Sequence, residues 1–274
     1  MVVRIMFAVA LLSLCVTQVI ASEMKERKII EALQLLGIDN HFSELHSTMV
    51  RGLNQRRLEG VASGTHDYSE LEGFIDRYFD PQLLTRKLAA QLVDSYDANR
   101  FELLLSSLRS EQIQRVQAQV KQVAAAENMA ALRAYAKEYP SAPLSRQKTY
   151  IIDGLDRASA GNELYAGVQA LATLTMLRMQ EVQQGVPAQF PEELLLQQLY
   201  TDYLESGRYT TEMIYRSALG DMSPEELQLS LRVYRSTVVQ WFLAAAVEHF
   251  TEVVAAQREQ LLNKVGKVEK SSTT

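Results

Sequence analysis

The side chains that most often carry acid–base or metal chemistry are sparse here, and their spacing limits what they can do. The chain holds four histidines. His41 and His46 flank Glu44 in "HFSELH", and a five-residue separation sets two side chains about 140° apart around a helix. Both cannot face one ion unless the helix breaks near Asp39 or Asn40. His66 beside Asp67 could activate water from a loop, but adjacency alone specifies no geometry for general-base work. His249 stands between Glu248 and Phe250, which suits the boundary of an amphipathic helix. No third ligand lies near any of them, so no metal site is predicted.

The carboxylates and the basic residues lead to the same end. Glu192 and Glu193 follow "FP", and Glu225 and Glu226 follow "SP"; negative charge at helix starts accounts for both pairs. Glycoside hydrolysis needs two acids opposed across a cleft, not side by side. There is no glycine-rich phosphate loop. Arg51, Arg56 and Arg57 in "RGLNQRR" lie close to Glu59 and read as a solvated face, with weak contact to anionic lipid or a cell-wall polymer as the alternative. A formal net charge of −5 offers no concentrated positive potential for nucleic acid. No catalytic residue and no cofactor are predicted, and only a site assembled from residues distant in sequence stays open.

The first 21 residues, "MVVRIMFAVALLSLCVTQVIA", carry one charge at Arg4, then an apolar run, then Val19 and Ala21 at the positions before a cleavage point. That layout predicts a secretory signal peptide and a periplasmic mature protein. The run from Phe7 to Ala21 falls short of the roughly 20 residues a membrane span prefers, so no stable span is expected after cleavage. Leu14 makes Cys15 a poor lipidation site. Cys15 is the single cysteine, and its loss with the signal removes disulfides and thiolate metal sites from the mature chain.

The remaining sequence repeats its apolar residues at helical spacing and shows no sustained alternation. We expect an all-α, antiparallel bundle of about eight to ten helices. Residues 22–140 would form an N-terminal half, 141–162 a connector, 163–263 a C-terminal half and 264–274 a flexible tail. Gly37 and Asp39 mark a break, and Asp80 with Pro81 marks a helix start. One long helix is expected from Asn99 toward Pro140. Leu164 to Leu177 contains no charge and is assigned to the core. Ser223, Pro224 and Glu226 form a capping box, with Met222 and Leu227 as its staple. Residues 83–110 align without gaps against 209–236, pairing Asp97 with Ser223 and Arg109–Ser110 with Arg235–Ser236. This predicts two similar helical-hairpin units.

The chain's lone tryptophan lies in "YRSTVVQWFLAAAVEHF". Read as one helix, Leu227, Leu231, Tyr234, Val238, Trp241 and Ala245 share a face that Phe242 broadens. Such a stripe is a buried core face, the wall of a cleft for an apolar ligand, or a subunit contact. Tyr234, Val238, Trp241 and Phe242 are therefore the predicted ligand- or partner-binding residues. Exposure decides among the three.

Ser223, Glu225, Glu226 and Leu227, followed by Tyr234, Arg235 and Ser236, resemble the pattern of the bacterial secreted helical family catalogued as domain of unknown function 2059. The resemblance covers residues 209–260, with a weaker echo at 83–116 and a leader-like helix at 29–45. Where that family often has proline and then glycine, this chain has Thr237, Val238 and Val239, which favours a continuous helix through Trp241. The resemblance implies a helical fold and an envelope location, and it supplies no catalytic residues. The expected function is a non-enzymatic protein contact in the cell envelope. The alternatives are carriage of an apolar ligand between helices, and catalysis by a long-range site.

Overall fold

The structure is a computed structural model that describes residues 22–60, 67–125, 128–141 and 143–272. The predicted signal segment with Cys15, and the loop holding Gly64 and His66, lie outside the described residues. Among the described residues every regular element is helical, so the chain is an all-α multi-helix bundle, as its periodicity predicts. Helix α1 spans residues 22–35 and α2 spans Ile38–Leu58. Between them Gly37 adopts φ 73°, a left-handed conformation that glycine reaches without a Cβ penalty.

Three successive aspartates then start helices by accepting otherwise orphaned backbone N–H groups. Asp67 caps α3, Tyr68–Tyr78; Asp80 caps α4, Pro81–Leu92, with Pro81 in its first turn; Asp97 caps α5, Ala98–Leu108. Helices α6, Glu111–Ala124, and α7, Met129–Glu138, follow. Ser145 caps α8, Arg146–Ala158, which leads into α9, Gly161–Gln183, and α10, Glu192–Leu219. The predicted capping box opens α11, Pro224–Tyr234, and α12 runs Thr237–Ser272.

The single long helix expected from Asn99 is instead α5, α6 and α7, and the helix expected to continue through Trp241 breaks between α11 and α12. Both breaks have one cause. The buried face of α5 ends at Leu108 and resumes at Ile113; that of α11 ends at Tyr234 and resumes at Val239. A five-residue step in place of four rotates the apolar stripe by about 100°, so a straight helix would turn it out of the core. A bend at Arg109–Ser110 and at Arg235–Ser236 restores the phase. In each bend the serine carbonyl accepts the first helical hydrogen bond, from the Gln114 and Gln240 amides at 3.1 and 3.0 Å. Each glutamine side chain also reaches back to the last carbonyl of the previous helix: Gln114 Nε2 to Leu108 O at 2.8 Å, and Gln240 Nε2 to Tyr234 O at 2.6 Å.

The repeat visible in sequence is therefore a three-helix unit, with α4–α5–α6 matching α10–α11–α12. Helices α5 and α11 begin and end at aligned residues. The units exchange their third helices, since α6 packs on α10 and α11 while α12 packs on α4 and α5. Matching positions make matching contacts across the exchange. Arg115 of α6 pairs with Glu226 of α11 at 2.8 Å; at the equivalent positions, Trp241 of α12 lies under the Arg100 guanidinium of α5 at 5.3 Å. The N-terminal half of α10 has no counterpart in α4.

One hydrophobic core joins all of these elements. Helix α9 is central, packed against α2, α10 and α12, and the uncharged stretch from Leu164 supplies its buried residues. Phe42 stacks on Phe250 with centroids 4.5 Å apart. Phe101 meets Trp241 and Phe242 edge-on, a geometry that aromatic quadrupoles favour. The predicted connector contains α8, whose Ile151, Ile152 and Leu155 are buried. The stretch expected as a tail from residue 264 continues the last helix: Leu261 and Val265 are buried and α12 runs on to Ser272. Thr237–Gly266 is long and apolar enough to cross a membrane; here Val239, Phe242, Phe250 and Val254 of that stretch lie in the core.

Gln240 also donates to Ala158 O at 2.7 Å, so it serves two carbonyls where Gln114 serves one. Removing a partner from a buried polar group costs about 1–3 kcal/mol. Gln240→Ala is expected to lower the urea unfolding free energy by roughly 2 kcal/mol and Gln114→Ala by roughly 1 kcal/mol; equal losses would contradict this assignment.

Candidate functional site

The aromatic stripe is core at Tyr234 and Phe242. Tyr234 and Phe242 are each 1% exposed, and the Tyr234 hydroxyl is held by the Gln117 side-chain amide of α6. Burial pushes that phenol up to about 12. Val238 and Trp241 are only half-buried because the bend at Ser236 turns them off the face that Val239 and Phe242 occupy. Trp241 seals the exchange against Arg100 and Phe101. Of the four predicted binding residues, Tyr234 and Phe242 are therefore core, whereas Val238 and Trp241 stay part-exposed, because the stretch read as one helix is two.

The other sequence candidates separate. His41 lies 3.7 Å from Glu44, His46 pairs with Asp76 of α3 at 2.9 Å, and His249 pairs with Glu252 at 2.7 Å. Among the described residues no group of three His, Cys, Asp or Glu side chains is placed to hold a metal ion. Glu192 pairs with Arg258. Glu226 is occupied by the Ser223 backbone N–H and Arg115, which together hold its carboxyl below the ordinary range.

The polar site that the fold does build lies at the turn from α8 to α9. Ala160 sits there at φ 57°, a left-handed conformation that costs an L-residue roughly 1–2 kcal/mol. This tight reversal brings Asp156, near the end of α8, against the first turn of α9. A Cβ on Gly161 would fall 2.6 Å from Asp156 Oδ1 and 3.0 Å from the Tyr215 hydroxyl, so only glycine permits the approach. Tyr215 of α10 closes the floor through a 2.6 Å hydrogen bond with Ser159, whose hydroxyl donates in turn to Asp156 O at 3.0 Å. Burial, and then the Asp156 carboxylate, push the Tyr215 phenol up, so it stays neutral.

A cavity of about 290 Å³ opens between these elements. Three oxygen atoms at its wall are buried without a hydrogen-bond partner among the described residues: Asp156 Oδ1, Asn162 Oδ1 and Glu163 Oε2. The Asn162 amide is oriented by its own donor, since Nδ2 donates to Leu204 O at 3.1 Å; the free atom is therefore the acceptor. Arg216 compensates Asp153 at 3.1 Å and Glu212 at 3.2 Å. Arg157 and Arg208 stand exposed at the rim, and neither has an ion-pair partner among the described residues. Asp156 is 6% exposed. Burial first, then the charges of Glu163, Glu212 and Asp153, raise its carboxyl from 3.8 to about 7, against a smaller lowering by Arg157. A strongly raised carboxyl in a cavity is a recognised mark of a functional site.

Sequence reasoning missed this site by treating residues 141–162 as a connector. One signal was available: Arg208, Glu212 and Arg216 recur every fourth residue, a charged stripe along one face of a helix.

Two apolar features lie further along the α9–α10 pair and at the far end of their hairpin. An open hollow of about 300 Å³ is lined by Gly167, Leu171, Leu196, Tyr200 and Thr251. At the hairpin end, Leu177, Val186, Phe190 and Leu194 are exposed. Buried arginines tie the segment beneath them: Arg178 donates to the Glu181 side chain and to Phe190 O, each at 2.6 Å, and Arg258 of α12 holds the Glu192 side chain. In comparisons with known proteins, no family model, curated protein or solved structure matches this chain.

The raised Asp156 carboxyl makes stability depend on pH. The group titrates near 3.8 when unfolded and near about 7 when folded, so the folded chain holds the extra proton between those values. Stability attributable to Asp156 therefore falls as pH rises from about 4 to about 7, with a full penalty on the order of 4 kcal/mol above that. Asp156→Asn removes the ionisation. In urea titrations the variant is expected to exceed the parent chain by a few kcal/mol at pH 8 and to converge with it near pH 4; a pH-independent difference would refute the assignment.

Proposed function

We propose that this protein acts in the bacterial periplasm, after removal of residues 1–21, as a non-enzymatic helical protein that binds another envelope protein. The observation that carries this reading is the end of the α9–α10 hairpin. Phe190 and Leu194 are each 62% exposed on a turn that buried Arg178 ties at the Phe190 carbonyl and buried Arg258 at the Glu192 side chain. Large apolar side chains that are exposed together, yet mounted on ordered structure, are characteristic of a protein contact. The hairpin end also belongs to the half of α10 that the repeat does not require. The composition and the leader-like first 21 residues support the location.

A second reading, carriage of a small apolar ligand, rests on the neighbouring hollow beside Leu171 and Leu196. The two separate cleanly. Cross-linking in envelope extracts is expected to capture one defined partner, and the double change Phe190→Ser with Leu194→Ser is expected to lose it without lowering Tm. Capture that survives the double change would refute the contact surface. Lipid retained by the purified protein in native mass spectrometry would establish the second reading instead.

A further inference from the structure

The cavity at the α8–α9 turn presents acceptors without donors. Asp156 Oδ1, Asn162 Oδ1 and Glu163 Oε2 are each buried and unpartnered, and the Leu204 carbonyl fixes Asn162 with its oxygen free. A buried acceptor left unmade costs about 1–3 kcal/mol, and three around one cavity suit a ligand with several N–H or O–H donors that displaces water from them. Charge narrows the choice. Arg216 answers Asp153 and Glu212, so the cavity wall keeps two carboxylates without an ion-pair partner among the described residues, Asp156 and Glu163, beside two such guanidiniums, Arg157 and Arg208.

A divalent cation fits poorly. Arg216 already occupies Asp153 and Glu212, and the two rim guanidiniums would repel a concentrated charge. A primary ammonium fits better, with one positive charge and three N–H donors for three acceptors. The rim arginines have no acidic partner among the described residues and match a carboxylate, which guanidinium binds in a bidentate fork. A volume of about 290 Å³ admits only a small molecule.

We propose that the cavity formed by Asp156, Asn162 and Glu163 with Arg157 and Arg208 binds a small α-amino acid, its ammonium on the three buried oxygens and its carboxylate at the two arginines. Glycine 161 and the left-handed Ala160 keep the ammonium end open. Asp156 must be ionised to hold the ammonium, and the groups facing it are Asp153 and Arg157 from α8, Glu163 from α9, and Arg208, Glu212, Tyr215 and Arg216 from α10. Binding therefore strengthens as pH rises.

Isothermal titration calorimetry on the purified protein tests this with glycine, L-alanine and L-serine against ethylamine, acetate and calcium chloride. The amino acids are expected to bind at pH 8, at least about tenfold more tightly than ethylamine or acetate, each of which offers only one of the two charges. Binding should weaken at pH 5.5. Asp156→Asn, which keeps shape and removes charge, is expected to weaken amino-acid binding by at least about tenfold while leaving Tm no lower than the parent's. Arg208→Gln should weaken amino acids and leave ethylamine unchanged. Should Asp156→Asn fail to fold, Glu163→Gln at the half-exposed edge makes the same test. The proposal is overturned if none of the amino acids binds, if ethylamine binds as well as L-alanine, or if calcium binds and Asp156→Asn abolishes it.

Discussion

The fold depends on an exchange. Neither three-helix unit buries its third helix against its own hairpin; α6 lies on α10 and α11, and α12 lies on α4 and α5. Apolar burial at about 25 cal/mol per Å² is the force, but the geometry that allows it is the one-residue slip at Leu108–Ile113 and Tyr234–Val239. Each slip forces a bend, and each bend aims a helix across the molecule. The glutamines at the bends then satisfy carbonyls that the broken helix would leave unpaired, as buried backbone groups require. Aromatic packing of Phe101 against Trp241 and Phe242 closes the same seam.

Against this regular frame, the turn from α8 to α9 is expensive. It holds an alanine in a left-handed conformation, buries a carboxyl and leaves three oxygens unpartnered. Natural sequences concentrate such violations where function requires them. The hairpin end beyond α9 is the opposite case: it is cheap in strain and heavily pinned, yet leaves phenylalanine and leucine in water. The two features are built from opposite ends of α9. A helix buried along most of its length supplies a rigid spacer between them.

Helical class, the capping box at Ser223 and the proline start at Pro81 were legible because they depend on local spacing and local hydrogen bonds. The repeat was legible too, though only as a hairpin; Gln114 and Gln240, which extend it, stand beyond the aligned stretch and do their work through side chains reaching back six residues. The aromatic stripe was legible only in part, for a definite reason. Val238 and Val239 are both apolar, as are Trp241 and Phe242, so periodicity cannot say which of each pair continues the face, and the bend at Ser236 decides it. Asp156 was illegible because its environment comes from α9 and α10, and no spacing within "IIDGLDRASAG" encodes that.

The exchanged third helices carry a consequence for how the chain can be divided. A fragment ending before α8 would keep α6 but lose the surface on which α6 rests, and a fragment beginning at α9 would strand α12 in the same way. Each piece would offer the other a complementary, unfilled seat, so the two would reconstitute one molecule when mixed, while either alone would find its seat only in a second copy of itself.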